Sequence, residues 1–379
     1  MRLLLMVAVV AAAAAGTARG SPCPVASSIY PCLCSDVYIG GKLYMDLDCS
    51  AATSNAVLAN AFSGTFPFKK FTNLTIHPTV AHPALISLDG GVFGDVYFQN
   101  ILVGNTDIRT VNEEALAPSH DSLILLDISD NRIESFPFEA LLAFQHLRIL
   151  DLSYNKLAAL PNLETNSLIV LDLSGNLALT FSQDTFSGSP RLEEIYLTNM
   201  GLTAFPPNVF SSLNLLEVID LSHNRLSGKL DQGSIRVPLD SLMDLRLNNN
   251  ELSQIDPTAI TGHTTTTAIT GKPSRSKKQN VATPATTTTT ATGVNRDARI
   301  NFQNNKIFSL DWNTWFPLLD QLSGAQVVDL RGNPLLCGCD LVWLFLDTDE
   351  LAKIHDGTTC YDGRILKSID VNDLLAICS

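Results

Sequence analysis

No cysteine occurs between residues 50 and 336, and only 17% of the 379-residue chain is charged. The long middle can therefore hold no disulfide, thiolate metal site or thiol nucleophile. Basic residues are also in short supply: 25 Lys and Arg stand against 38 Asp and Glu, a formal charge of −13. That balance excludes nucleic acid as the expected partner, because binding it draws on a basic face this chain lacks. After the N-terminus no apolar run reaches the length of a membrane span, and Cys378-Ser379 ends the chain without a hydrophobic tail, so neither a spanning helix nor a glycolipid anchor is expected. Motifs that carry chemistry are missing too: there is no H-E-x-x-H, no G-x-S-x-G, no phosphate-binding glycine loop and no Ca-loop acid spacing. Ser119-His120-Asp121 has the residue types of a triad, but adjacent residues cannot converge as nucleophile, base and orienter. The histidines are scattered, with His77 and His82 the only loose pair. A non-enzyme without metal or cofactor is the expectation.

What is present is apolar and periodic. Hydrophobic residues make up 45% of the chain, enough for a large core and too much for wholesale disorder. Met1-Arg2, the apolar stretch Leu3 to Ala15 and the small residues Ala18 and Gly20 read as a signal peptide over 1–20, so the protein is expected to be secreted. The cysteines cluster at the two ends, Cys23, Cys32, Cys34 and Cys49 at one and Cys337, Cys339, Cys360 and Cys378 at the other. In an oxidising compartment this means two local disulfides per end. Cys32/Cys34 and Cys337/Cys339 are too close to bridge internally without strain, which leaves two pairings for each cluster.

Between the clusters the pattern L-x-x-L-x-L-x-x-N-x-L recurs. Its clearest copies are Leu123/Leu126/Ile128/Asn131/Ile133 and Leu147/Leu150/Leu152/Asn155/Leu157, followed by copies whose Asn slots hold Asn176, Met200, Asn224 and Asn250. Weaker copies lie around Phe71/Leu74/Ile76, Phe98/Ile101/Val103, Ile300/Phe302/Asn305 and Val328/Leu330/Asn333. Residues 106, 131, 155, 176, 200, 224 and 250 occupy successive slots, a spacing inside the range of leucine-rich repeats. The sequence thus predicts an α/β solenoid, a leucine-rich-repeat horseshoe with short parallel strands on its concave face. About nine or ten repeats over 51–334 would lie between disulfide-bonded caps at 21–50 and 335–379. The slot column Asn131, Asn155, Asn176, Asn224, Asn250 should bond free backbone groups at the turns, while Phe138 to Ala143, Phe186 and Phe210 fill the convex side. One spacing breaks the register. The excess at 261–296, rich in Thr and carrying Lys272, Arg275, Lys277, Lys278 and Arg296 but no acid, reads as a disordered protruding loop open to O-glycosylation. Its functional alternative is a basic docking strap.

Position x of L-x-L reads Leu102, Asp127, Asp151, Asp172, Tyr196, Asp220, Arg246, Asn301 and Asp329. Stacked coils would place these side chains roughly 5 Å apart on the concave face, where three successive Asp repel one another and invite a basic partner. Asp is also common at this slot for a purely structural reason, the following Ser and water satisfying it. With that weighed, the candidate protein-binding face is Asp127, Asp151, Asp172, Tyr154, Tyr196, Asp220 and His223. Asn73-Leu74-Thr75 is the one N-glycosylation sequon, so Asn73 is the expected glycan site.

The cap patterns Cys23…Cys32-x-Cys34…Cys49 and Asn333-Pro334-x-x-Cys337-x-Cys339-x-x-x-Trp343 resemble those of extracellular leucine-rich-repeat proteins. That resemblance implies the pairs Cys23–Cys34, Cys32–Cys49, Cys337–Cys360 and Cys339–Cys378. Four stretches, Met45 to Ser50, Phe66 to Ile76, Asp89 to Gly94 and Ala117 to Leu123, are similar to the non-catalytic repeat subunit of the Oplophorus-type, crustacean luciferin 2-monooxygenases. In that family a separate small subunit oxidises the luciferin and the repeat subunit stabilises it. The resemblance therefore implies a secreted, non-catalytic chain that binds and stabilises another secreted protein, a small catalytic luciferase subunit among the candidates. An extracellular recognition or matrix protein of the immune or adhesion type is the alternative.

Overall fold

A computed structural model of the chain describes residues 21–79, 85–237, 239, 242–262, 299–322 and 327–378. The signal-peptide reading at 1–20 and residues 263–296 of the Thr-rich insert lie outside these. The remainder winds as a stacked series of coils whose strands join in one twelve-stranded sheet. An antiparallel hairpin, Leu33–Ile39 with Lys42–Asp48, opens the sheet. Lys70–Ile76, Tyr97–Val103, Leu125–Asp127, Ile149–Asp151, Val170–Asp172, Glu194–Tyr196, Val218–Asp220, Asp244–Arg246, Arg299–Asn301 and Val327–Asp329 follow, each parallel to its neighbour.

The period of two along a strand explains the repeat pattern. Leu126, Leu150, Leu171, Ile195, Ile219 and Leu245 pair in register down the sheet, and all are fully buried. The second pattern leucine, two residues on, is buried in the same way at Ile128, Leu152, Leu173, Leu197, Leu221 and Leu247. One coil has only one neighbour on each side to hide these side chains, so stability accrues by stacking. Aromatic rings widen the convex side: Phe62, Phe66, Phe71, Phe93 and Phe98 pack together early, Phe186 stacks on Phe210 at 6.0 Å, and Phe302 meets Trp315 edge-on. Convex helices are short. Asn55–Phe62 begins at Ser54, whose hydroxyl accepts from the Val57 N–H, and Trp312–Asp320 begins at Asp311, which accepts from Thr314. Phe138–Ala143 is a 3-10 helix.

Each ladder asparagine bonds two coils at once. The amide of Asn176 donates to the carbonyls of Leu152 (3.0 Å) and Leu173 (2.8 Å) and accepts from the Leu157 N–H. Asn131, Asn155, Asn224, Asn250, Asn305 and Asn333 repeat the arrangement, every one buried. They satisfy carbonyls that the sharp turn takes out of the sheet. Met200 breaks the series and is simply buried.

The residue just before each ladder slot has positive φ: Asn105, Asp130, Tyr154, Gly175, Asn199, His223, Asn249, Asn304 and Gly332. Most are Asn, Asp or Gly, the types that tolerate this left-handed backbone. At the ends, disulfides join Cys23 to Cys34, Cys32 to Cys49, Cys337 to Cys360 and Cys339 to Cys378. Thr261 and Gly262, placed by composition in the insert, belong to a strand, Ile260–Gly262, that pairs with Ile235–Val237. Asp244–Arg246 and Arg299–Asn301 are direct neighbours in the sheet, so the long spacing interrupts the chain without interrupting the stack.

Candidate binding face on the concave sheet

Asp127, Asp151, Asp172, Tyr196 and Asp220 are consecutive partners across five parallel strands and form one column on the concave face. Tyr154 and His223 are not in it. They occupy the left-handed row at the rim, three residues beyond Asp151 and Asp220. The Tyr154 ring lies over Gly175, where a Cβ would come within 2.6 Å of its Cδ1, and its hydroxyl is 3.5 Å from the Asn199 amide. The His223 Nε2 lies 3.1 Å from the Asn249 amide, which in turn accepts from Asn304.

Local structure accounts for part of the Asp column. The Oδ1 of Asp127, Asp151, Asp172 and Asp220 each accepts the N–H two residues on, from Ser129, Ser153, Ser174 and Ser222 at 2.9–3.0 Å. In Asp127 and Asp220 the Ser hydroxyl adds a second bond. This Asx turn leads the strand into the left-handed residue, which is why D-x-S recurs.

Beyond that shared turn the acids differ. Asp220 is buried and takes the Arg246 guanidinium at 3.0 Å, while Arg246 also clamps Asp244. Asp329 is wholly buried between Arg299 and Arg331, whose hydrogen bonds outweigh burial and hold its carboxyl down at about 2. No Lys or Arg of the described residues pairs with Asp127, Asp151 or Asp172. Burial, then repulsion from Asp172 and Asp127, pushes Asp151 up to about 7. Burial raises Asp172 likewise. Tyr196 donates to Glu194 at 2.6 Å, and burial together with that carboxylate raises its hydroxyl's pKa.

A second column, missed by the sequence reading, runs beside the first. Two residues before each Asp stand Leu125, Ile149 and Val170, in register on adjacent strands and half-exposed on the concave side. Ile124 and Ile169 precede two of them and extend the apolar strip toward the rim. The signal was an apolar residue at the same non-core slot in three successive repeats, hidden among the core leucines beside it.

Asn73 lies in this same column near the N-terminal end. Its amide donates to Asp46 at 2.7 Å and its oxygen accepts from Asn100 at 2.8 Å. Ser119 and His120 point to structural tasks, the Ser119 hydroxyl accepting from the Phe98 N–H and the His120 ring meeting Phe144 edge-on at 4.5 Å. Among the described residues no cluster of His, Cys, Asp or Glu is placed to hold a metal ion.

Parallel strands in strict register, an asparagine ladder and disulfide-bonded ends define a capped solenoid, and the chain has the leucine-rich-repeat fold. The leucine rich repeat family profile matches residues 166–226 and 190–236. Over 94% of its length the chain is 28% identical to the Oplophorus-luciferin 2-monooxygenase non-catalytic subunit of Oplophorus gracilirostris, covering 88% of that protein. Tsukushi of Mus musculus is 30% identical over 38% of this chain and 42% of its own length. Podocan-like protein 1 of Mus musculus is 33% identical over 36% of this chain and 24% of its own. Among solved structures, a chain of the octameric complex of Latrophilin 3, Unc5D and FLRT2 superposes with a TM-score of 0.58 at 19% identity, covering 86% of this chain and 88% of that one. The protein is secreted and extracellular, in keeping with its four disulfides and these relatives. No helix of the described residues is long and apolar enough to cross a membrane.

Proposed function

We propose that this chain is a non-catalytic subunit that binds a second secreted protein on its concave face and stabilises it. What supports this reading is the similarity over 94% of the chain to a protein named as a non-catalytic subunit. The geometry agrees, since the distinctive side chains lie in open columns along one sheet, the layout of a docking surface. A stabiliser needs only to prefer the folded partner: at a hundredfold excess over its dissociation constant it adds about 2.7 kcal/mol. By the same similarity, a small luciferin-oxidising subunit is the partner to test first. The shorter matches to Tsukushi and Podocan-like protein 1 favour the second reading, an extracellular recognition or matrix protein without an enzyme partner.

The test is gentle isolation of the native protein followed by mass spectrometry of what co-purifies. A stoichiometric small protein that turns over the luciferin, and loses heat resistance when this chain is removed, is the expected result. Recovery of the chain alone, or with matrix ligands only, would overturn the subunit reading.

We further propose that Asn73 carries an N-glycan. One amide hydrogen serves Asp46, leaving the second for the glycosyl bond, and the sugar would then cover the N-terminal part of the concave sheet. A partner would be left the strands from Leu125 onward.

A further inference from the structure

We propose that the strands Leu125–Asp127, Ile149–Asp151 and Val170–Asp172 form a docking site for a partner segment that presents an aliphatic or aromatic side chain beside a Lys or Arg. This rests on the reading of the chain as a binding partner and specifies where and by what chemistry it binds.

The coil does not require Leu125, Ile149 and Val170. Core packing is complete with Leu126, Leu150 and Leu171, which face the other way and are fully buried. The outward trio is thus an apolar surface that the fold itself leaves partly uncovered, on strands about 4.8 Å apart and so about 10 Å across, the width of one extended segment or one helix. Its neighbours in the same column are polar and already engaged: Asn100 bonds Asn73 on one side, and Glu194 accepts from Tyr196 on the other. The patch therefore has sharp ends.

Charge names the rest of the partner. Each of Asp127, Asp151 and Asp172 commits Oδ1 to its Ser turn, which leaves Oδ2 on every one as an acceptor. Farther along the column the chain supplies its own guanidinium groups to Asp220 and Asp329. Over the aliphatic patch it supplies none from the described residues. Arg148 is exposed one residue before Ile149, on the far side of the aliphatic column from the carboxylates. A partner ammonium or guanidinium arriving at the Asp column meets three carboxylates, and its neighbouring apolar side chain falls on Leu125, Ile149 and Val170. Such a cation also offsets the burial, and the added repulsion from Asp172 and Asp127, that disfavour the ionised form of Asp151.

The experiment uses the full-length secreted protein and three synthetic extended peptides: alternating Lys and Val, alternating Glu and Val, and alternating Lys and Ser. Binding is read by fluorescence anisotropy. The Lys–Val peptide is expected to bind, and the other two at least about tenfold more weakly, since each lacks one half of the match. Ile149→Glu should lower the Lys–Val affinity by about tenfold or more, and Asp151→Asn by a few-fold with a shallower salt dependence. Asp151→Asn keeps the turn acceptor, so a folded variant is available even if Ile149→Glu unfolds, which a melting curve reports. Equal binding of the Glu–Val peptide, no binding of the Lys–Val peptide, or insensitivity to both substitutions would overturn the proposal. If a natural partner is captured equally by wild type and both variants, the subunit reading stands and this site falls. If no partner is captured but the peptide binds through the patch, the site stands and the subunit reading falls.

Discussion

Asp151 offers a measurement in which the sign is as informative as the size. Its carboxyl is raised from 3.8 to about 7 by burial and then by Asp172, with Asp127 adding to the repulsion. Arg148, the residue before its strand, and Arg246, four strands away, do not pair with it. The folded-state value lies above the unfolded one, so the folded protein holds the proton longer. Below about pH 4 both states are protonated and nothing is lost; between about 4 and 7 the unfolded chain ionises first and stability falls; above about 7 both are ionised and the penalty is constant. A rise of about three units corresponds to a ceiling of about 4 kcal/mol. Asp151→Asn removes the charge and keeps an oxygen for the Ser153 N–H, but it brings an NH2 group into a site arranged for acceptors, which costs about 1–2 kcal/mol. The net expectation is that the variant gains about 2 kcal/mol over wild type at pH 8. That advantage should shrink steadily toward pH 4. Urea unfolding of both proteins at half-unit steps from pH 4 to 8 reads the difference directly. A difference that stays flat across that range, or one that grows as pH falls, would refute the electrostatic account of this column.

Other parts of the molecule give further expectations. Asn176→Ala deletes bonds to Leu152, Leu173 and Leu157 in a fully buried rung, and should lower stability by about 2–4 kcal/mol in denaturant titration. Replacing Cys339 and Cys378 by Ser opens a loop of 39 residues, which the chain-entropy relation puts at about 4 kcal/mol. Amide exchange should then rise first in the terminal helix Val371–Cys378. Tyr154 holds positive φ with a bulky side chain, so Tyr154→Asn should stabilise the protein by about 1 kcal/mol while weakening any partner that uses the ring; a neutral or negative change in melting temperature would count against strain there. Enzymatic deglycosylation should shift the intact mass by one glycan, a shift abolished in Asn73→Gln.

The solenoid was legible because its determinant is local and repeated. Leucines at fixed spacing set the strand and its direction, the Asn slot sets the turn, and each copy restates the rule. The slot before each Asn carried a readable signal too, since Asn105, Asp130, Gly175, Asn199, Asn249, Asn304 and Gly332 are types that accept a left-handed backbone. The candidate face was legible only in outline. Asp127, Asp151, Asp172 and Asp220 are identical in the D-x-S pattern, yet Asp220 is neutralised by an arginine 26 residues away in the next coil. Asp329 is likewise met by Arg299 from the preceding coil, 30 residues earlier. Contacts across coils decide which acid is free, and no single repeat contains that information. Leu125, Ile149 and Val170 escaped notice for the opposite reason: beside core leucines, an apolar residue that faces outward looks like more core.

The concave sheet divides into three stretches by how its outward residues are satisfied. Asp46, Asn73 and Asn100 bond one another at the N-terminal end. From Asp220 to Asp329 the carboxylates are met by Arg246, Arg299 and Arg331. Between them Leu125, Ile149 and Val170 stand beside three acids that no described cation neutralises. A solenoid's stability comes from its inward residues and its turns, so the outward slots are under no obligation to either. If the middle stretch existed only for folding, its acids would be expected to find cations as their neighbours do, or to be replaced by residues without a desolvation penalty. Instead it combines half-buried aliphatic surface with carboxyls, at Asp151 and Asp172, whose ionisation is opposed first by burial and then by neighbouring acids. Both features lose free energy in the isolated chain, and both are relieved by the same event, the arrival of an apolar side chain with a cation next to it.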